Sequence, residues 1–287
     1  MLEDAYFVKM HCLGNDFVIL ITGQDFSTAA IQYIAHRRLG IGCDQVVALN
    51  HQEDLWKIRF WNRDGSKALA CGNGTRCAFL YLVQQRLLSR NGTLYGPVGP
   101  IDCAITETGV SVKHLVNFDE VRKSKDFVIQ IPEVFADHLK ESFLAEMAGF
   151  DGDILPEQGF AVDVGNPHFI LYTESDPFAI PQLSLYARHL SRHSLWPQGV
   201  NVSFVHIISQ GKAKLYTYER GTGVTMACGS AACAAGALLH RHHNWSCSEV
   251  VTQVGSIFIE HSGERSYTQT AEATMVFQGF IALKLSH

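Results

Sequence analysis

The sequence predicts an α+β protein made of two pseudo-symmetric domains, each a strand-rich mixed or antiparallel sheet wrapped around a central helix. Three observations predict it. An Ala-Cys-Gly turn leading into a helical run occurs twice, as Ala70-Cys71-Gly72 and Ala227-Cys228-Gly229, 157 positions apart. The same shift sets Arg63 on Arg220, Gly42 on Gly199 and Asp44 on Asn201, while a shift of 151 sets Gly14-Asn15 on Gly165-Asn166. Landmarks repeated in one order mark two divergent copies of one unit. Second, short strand-like runs outnumber helical ones in both halves. Third, strands and helices do not alternate regularly, so a doubly wound sheet fits poorly.

The elements follow in chain order. Tyr6–Met10 and Phe17–Ile21 read as strands around a Leu13–Asp16 turn. Ser27 or Thr28 caps a helix predicted to run to Leu39, its apolar positions Ile31, Ile34, Ala35 and Leu39 at helical spacing. Gly40–Gln45 is a tight turn into the strand Val46–Leu49. Trp56, Ile58 and Phe60 alternate with polar residues in a half-buried strand ending at Asn62, and Asp64-Gly65 turns the chain. A first central helix is predicted over 72–88, buried through Phe79, Leu82 and Leu87. Glycines and prolines mark turns over 91–100, followed by strands 101–106 and 110–116. The polar stretch 117–125 is the expected domain crossing. The second half repeats the plan: strands at 127–131, 160–164 and 169–172, a helix over 182–193, and strands 201–208 and 212–218. A second central helix covers 229–242, and strands 249–254, 257–261 and 274–285 complete it. Residues 137–158 read as an insertion. The expected domains are 1–120 with 274–287, and 121–273.

Composition narrows the function. Hydrophobic residues are 47% of 287, enough for a well-buried core. The net charge of −5 is spread without long runs, so neither nucleic acid nor a membrane surface is an expected partner. The start Met1-Leu2-Glu3-Asp4 lacks the basic and apolar regions of a secretion signal, and no apolar run reaches spanning length. A cytoplasmic protein is the expectation. Eight cysteines without a C-x2-C pair are neither a disulfide framework nor a zinc site, and no metal is expected.

Two cysteines stand apart. Cys71 and Cys228 each sit where a helix begins, and there free N–H groups and the helix dipole favour negative charge. That position is expected to lower a thiol pKa toward neutrality. The glycines that follow admit a ligand close to the backbone, whose N–H groups can hold a carboxylate. Two such sites, one per half, suggest two thiols working on one substrate. The other cysteines (Cys12, Cys43, Cys77, Cys103, Cys233 and Cys247) read as small buried hydrophobes, and Arg63 as a solvated surface residue.

The motifs Gly14-Asn15-Asp16-Phe17, Gly40-Ile41-Gly42-Cys43-Asp44-Gln45 and Asn62-Arg63-Asp64-Gly65-Ser66 lead to Ala70–Cys77. Gly165-Asn166-Pro167-His168, Gly199-Val200-Asn201-Val202 and Glu219-Arg220-Gly221-Thr222-Gly223 lead to Ala227–Ser230. As a set, over nearly the whole chain, they resemble the diaminopimelate epimerases. The resemblance implies a PLP-independent isomerase that uses no cofactor or metal, usually as a homodimer. It would convert LL-2,6-diaminopimelate to the meso form, a step toward lysine and peptidoglycan precursors. It implies that the C-terminal strand returns to the first domain. It makes Cys71 and Cys228 the acid/base pair: one thiolate removes the α-proton while the opposite thiol delivers another. It places Asn62, Asn166 and Asn201 on the distal group and Asn15 near the reacting end. Read from their chemistry, the backbone of Gly72-Asn73 and Gly229-Ser230 suits the α-carboxylate, Glu219 with a loop carbonyl the α-ammonium, and a forked Arg220 the distal carboxylate. Asn15 and Gln45 complete the binding set, and His168 would orient a thiol or the substrate. Cys12 and Ala231 stand where the family commonly has glycine, and Leu69-Ala70 is a less usual lead into the first cysteine.

Two rivals have their own signatures. A proline racemase or hydroxyproline epimerase shares the two-thiol chemistry, but its small cyclic substrate needs no distal clamp. A thiol redox or binding module would use Cys71 and Cys228 as a switch, yet lacks the C-x2-C pair such modules favour.

Overall fold

The computed structural model describes residues 2–115, 128–130, 159–164, 166–180, 182–194, 196–263 and 266–284. The expected crossing at 117–125 and the insertion at 137–158 lie outside these residues. The chain forms two compact units, Met1–His114 with Thr270–His287, and Leu115–Gln269.

Unit 1 holds strands β1 (Leu2–Cys12), β2 (Asn15–Ile21), β3 (Gln45–Gln52), β4 (Leu55–Asn62), β5 (Lys67–Ala68), β6 (Asn91–Gly96), β7 (Gly99–Ile105), β8 (Val110–Leu115) and β18 (Ala273–Lys284). Its helices are α1 (Thr28–Ala35) and α2 (Gly72–Gln84). β1 pairs antiparallel with β18 and β2. β2 runs parallel to β3, and β3 antiparallel to β4. β4 then pairs antiparallel with β5 and parallel with β6, and the antiparallel run β6–β7–β8 follows.

Unit 2 holds β9 (Val128–Gln130), β10 (Gly159–Asp163), β11 (Pro167–Tyr172), β12 (Asn201–Ser209), β13 (Lys212–Glu219), β14 (Gly223–Thr225), β15 (Cys247–Thr252) and β16 (Gly255–His261), then β17 (Ser266–Ala271). Helices α3 (Leu183–Ser191) and α4 (Gly229–His243) stand where α1 and α2 stand in unit 1. The pairing order repeats. β10 lies antiparallel to β9 and β11, β11 parallel to β12, and β12 antiparallel to β13. β13 pairs antiparallel with β14 and parallel with β15, and β15 antiparallel with β16. Even the register coincides: the pair Trp61–Lys67 in β4/β5 becomes Tyr218–Val224 in β13/β14 after the 157-residue shift. β18 takes against β1 the place that β9 takes against β10. The last strand of the chain thus completes the first unit.

Each sheet is covered on both faces, so its central strands are apolar throughout rather than alternating. In unit 1, Ile31, Ile34 and Ala35 of α1 pack with Val18, Leu20, Val46, Ala48 and Trp61. The opposite face presents Phe17 and Phe60 to Gly74 of α2. In unit 2, Leu183, Tyr186, Ala187 and Leu190 of α3 pack with Phe169, Leu171, Val202 and Phe204. α4 enters its sheet closely because it is built of small residues: a Cβ on Gly236 would stand 2.6 Å from Ile259.

Both predicted helix ends were too long. The ring Nδ1 of His36 accepts the N–H groups of Arg38 and Leu39 at 3.1 and 3.0 Å, so the chain turns and Leu39 is 71% exposed. α2 stops at Gln84, because Arg86 adopts a left-handed φ of +59°, and Leu87 is exposed rather than buried. The stretch 91–96, predicted as turns, is β6, a glycine-containing strand paired with β7.

Candidate active site

Cys71 is the N-cap of α2, in extended conformation, and its Sγ accepts the N–H of Gly74 at 3.3 Å. A side chain at Gly74 would crowd Phe17, Phe60 and Cys71 Sγ itself, which explains the glycine. Asn73, in the first turn, donates through Nδ2 to Asn15 Oδ1 at 3.2 Å. Its Oδ1 accepts from Arg76 Nη1 at 2.8 Å and from the Cys12 thiol at 3.4 Å. Asn15, at the start of β2, passes its own Nδ2 to Asp44 Oδ2 at 3.0 Å. Arg37 bridges Asp44 and Asp16 at 2.8 Å, and Lys9 reaches Asp16 at 2.6 Å. Burial alone would raise the Asp16 pKa; Arg37 and Lys9 override it and hold the carboxyl well below the usual range. This ionic platform fixes the carboxamides of Asn15 and Asn73. Beside it, Gln45 at the start of β3 donates to Asn62 Oδ1 at 2.8 Å, and Asn62 donates to Ser66 at 3.0 Å. Gln45 Oε1 is left buried without a partner.

Unit 2 repeats the plan with different side chains. Cys228 is the N-cap of α4, and no side-chain bond closes that first turn. Its Sγ lies 3.3 Å from Ser230 Oγ, which accepts from Asn166 Nδ2 at 3.4 Å. Ser230 and Asn166 are the counterparts of Asn73 and Asn15, so one hydrogen bond recurs in both copies. Asn166 Oδ1 takes the Nε2 of His168 at 3.2 Å. His168 is fully buried in β11, and desolvation pulls its pKa down to about 4. The imidazole is therefore neutral near pH 7 and orients Asn166 as a fixed dipole. Asn201, opening β12, spends its Oδ1 on the N–H of Arg220 at 2.8 Å, leaving Nδ2 as a donor. Arg220, in the β13/β14 turn, donates Nη1 to the Gln198 carbonyl at 2.7 Å. Glu219 stands close enough to Cys228 to raise its pKa.

Neither thiol is acidic. Desolvation pushes Cys71 up to about 11, against the Gly74 amide and Arg76. Burial, reinforced by Glu219, pushes Cys228 up to about 12, against the Ser230 hydroxyl. The position at a helix start was expected to lower both; the cost of burying a thiolate exceeds what the amides return. Among the other cysteines Cys247 is exposed, not buried, while Cys12, Cys43, Cys77, Cys103 and Cys233 are buried. Arg63 is exposed.

Unit 1 thus brings Asn15 to Asn73 and Gln45 to Asn62. Unit 2 brings His168, Asn166 and Ser230 to Cys228, and Asn201 to Arg220. Three supporting residues escaped sequence reasoning. Asp44 lay in plain view inside a quoted motif, and Arg76 showed as a charge in a helix otherwise free of acids and bases. Gln269, which donates to the Gly229 carbonyl and to Cys233 Sγ, carried no signal.

Two copies of one fold, each presenting a cysteine at a helix start beside polar side chains, set the frame in which relatives can be compared. A family model for diaminopimelate epimerase matches residues 7–123 and 160–276, and the chain belongs to that family. The diaminopimelate epimerase of Carboxydothermus hydrogenoformans is 33% identical over 286 residues, covering 95% of this chain and 98% of the relative. That of Rickettsia felis is 33% identical, covering 97% of this chain and 98% of the relative. Among solved structures, a phenazine biosynthesis protein of the PhzF family from Enterococcus faecalis superposes with TM-score 0.70 at 13% identity, over 98% of this chain and 100% of that one. A hydroxyproline epimerase from Agrobacterium vitis superposes with TM-score 0.60 at 13% identity, over 98% of this chain and 93% of that one. These two share the fold.

Proposed function

We propose that this enzyme interconverts LL-2,6-diaminopimelate and meso-diaminopimelate, with Cys71 and Cys228 as its two acid/base groups and no cofactor. The observation that carries the chemistry is the duplicated cysteine N-cap. Neither α2 nor α4 has an acidic residue in its first turn, so both N-termini favour a substrate carboxylate. Charge that develops on that carboxylate as the α-proton leaves is stabilised by the same N–H groups. The raised thiol pKa values suit the task. An α-hydrogen is a very weak acid, and a thiolate of higher pKa is a stronger base toward it. The thiolate population is small until a cationic α-ammonium arrives beside it. Glu219, close to Cys228 in unit 2, is an acceptor for such an ammonium. Arg220, Asn62, Asn166 and Asn201 supply the donors that a distal amino-acid group requires, and a cyclic imino acid has no group to fill them.

We read the two compact units as two domains, and the enzyme as a cytoplasmic homodimer serving lysine and peptidoglycan precursor synthesis. Met275, Val276, Phe277 and Phe280 of β18 are exposed apolar side chains, and this strand is where we place the contact with a second copy. Light scattering at the mass of one chain would contradict the dimer. Among the described residues no helix is long and apolar enough to cross a membrane. The substrate reading is tested by following LL-diaminopimelate, L-proline and trans-4-hydroxy-L-proline by chiral chromatography. Turnover of the first alone is expected, and Arg220→Lys should raise KM at least about tenfold, because one ammonium replaces a fork. Turnover of proline with none of diaminopimelate would overturn it.

A further inference from the structure

A pocket of about 540 Å³ opens in unit 2 beside the β13/β14 turn. Arg188, Arg192 and Arg220 line it, with Trp196 and Tyr218 on its walls and the Gly221–Gly223 turn at its rim; no acidic residue is among the lining residues. Arg188 and Arg192 make no ion pair with any described residue. Arg220 spends Nη1 on the carbonyls of Gln198 and Gly199 and leaves the rest of its fork unengaged. A Cβ built on Gly221 or Gly223 would meet nothing within 4 Å, so the backbone of the rim faces open space.

The other copy is an internal control. In unit 1 the glycine of the corresponding turn, Gly42, is covered by Arg37, as Gly199 is covered by Arg220. Arg37 is neutralised there by Asp16 and Asp44. Under the two shifts those acids become Pro167 and Asn201. Unit 2 has therefore dropped both carboxylates from the layer that meets its arginine and gathered two further arginines beside it. Three like charges in one concavity repel one another unless an anion joins them.

We propose that this pocket is a binding site for a multiply charged oxyanion, a phosphorylated or polycarboxylic small molecule, held by Arg188, Arg192 and the free edge of Arg220. Guanidinium forks match the oxygen spacing of phosphate and carboxylate. Trp196 and Tyr218 offer faces to an organic body. The site itself stands independently of the epimerase reading. Its consequence for activity rests on that reading: an anion that engages Arg220 draws it from the substrate's distal group and raises KM.

The probe is inorganic pyrophosphate, titrated calorimetrically into the wild-type enzyme and into Arg188→Gln/Arg192→Gln. Neither residue belongs to the proposed catalytic or substrate-binding set. Saturable binding at one ion per chain is expected, weaker by at least about tenfold in the double variant at an unchanged circular dichroism spectrum. Binding should also weaken between roughly 50 and 300 mM salt. Arg188→Lys/Arg192→Lys, which keeps charge and loses the forks, should fall between the two. The absence of saturable binding, or equal binding by wild type and the Gln variant, overturns the proposal. The heat of binding does not depend on turnover, so an enzyme inactive on diaminopimelate leaves this test intact.

Discussion

His168 gives a pH signature whose size follows from its burial. The ring is fully buried, and desolvation lowers its pKa to about 4, against about 6.5 in an unfolded chain. Between these values the unfolded chain binds more protons than the folded one, so stability rises with pH across the window and is lost as pH falls. The full effect is about 2.5 pK units, or about 3.4 kcal/mol, and about 2.5 kcal/mol of it is gone at pH 4.5. Carboxylates titrate in the same range, so the informative quantity is a difference. Urea unfolding of wild type and His168→Gln is measured at pH 7.5 and 4.5. Wild type should lose about 2 to 3 kcal/mol more than the variant over this interval, whatever the absolute cost of the substitution. Equal losses within about 0.5 kcal/mol would refute the reasoning and place a charged imidazole in β11. The same neutrality keeps His168 out of the pH–rate profile between pH 6 and 8.

The thiols make a second expectation. With a pKa of about 11, Cys71 is about one part in a thousand thiolate at pH 8, so iodoacetamide should alkylate it roughly 200-fold more slowly than a free cysteine, the rate climbing with pH to near 11. A plateau between pH 7 and 8 in mass-spectrometric labelling would show that helix position had won over burial. On stability, these raised values help below the unfolded thiol pKa near 8.5 and are lost above it, so both sites weaken the fold toward pH 11. Gly236→Ala should destabilise unit 2 by about 1 to 3 kcal/mol, because its Cβ would press on Ile259 at 2.6 Å in a closely packed helix–sheet contact. An unchanged melting midpoint would mean that the sheet yields.

The duplication was the most legible feature, because glycines with positive φ and helix-starting cysteines tolerate few substitutes. Gly42 at +81° and Gly199 at +72° keep their identity across both copies while the strands around them diverge. Strand and helix types followed from periodicity. Helix ends did not: His36 closes α1 through a ring nitrogen, and Arg86 breaks α2 by a backbone angle, neither of which leaves a pattern in the sequence. β5, β14 and β17 went unread because two are too short to show alternation and the third lies in a polar stretch. At the site, the cysteines and carboxamides were visible as motifs. Their electrostatics were not, since desolvation depends on what packs around a thiol and not on its neighbours in sequence. Asp44 shows the same gap: its role appears only when Asn15 and Arg37 converge on it from other elements.

The central claim is that two thiols share the proton transfer. It is tested most directly by incubating LL-diaminopimelate in D2O with wild type, Cys71→Ser and Cys228→Ser, and following the α-proton by NMR. Wild type should place deuterium at the inverted carbon as meso product accumulates. Each single substitution should lower that rate by at least about a thousandfold, since neither serine replaces a base on its own face. A variant that still epimerises near the wild-type rate would contradict the two-thiol account.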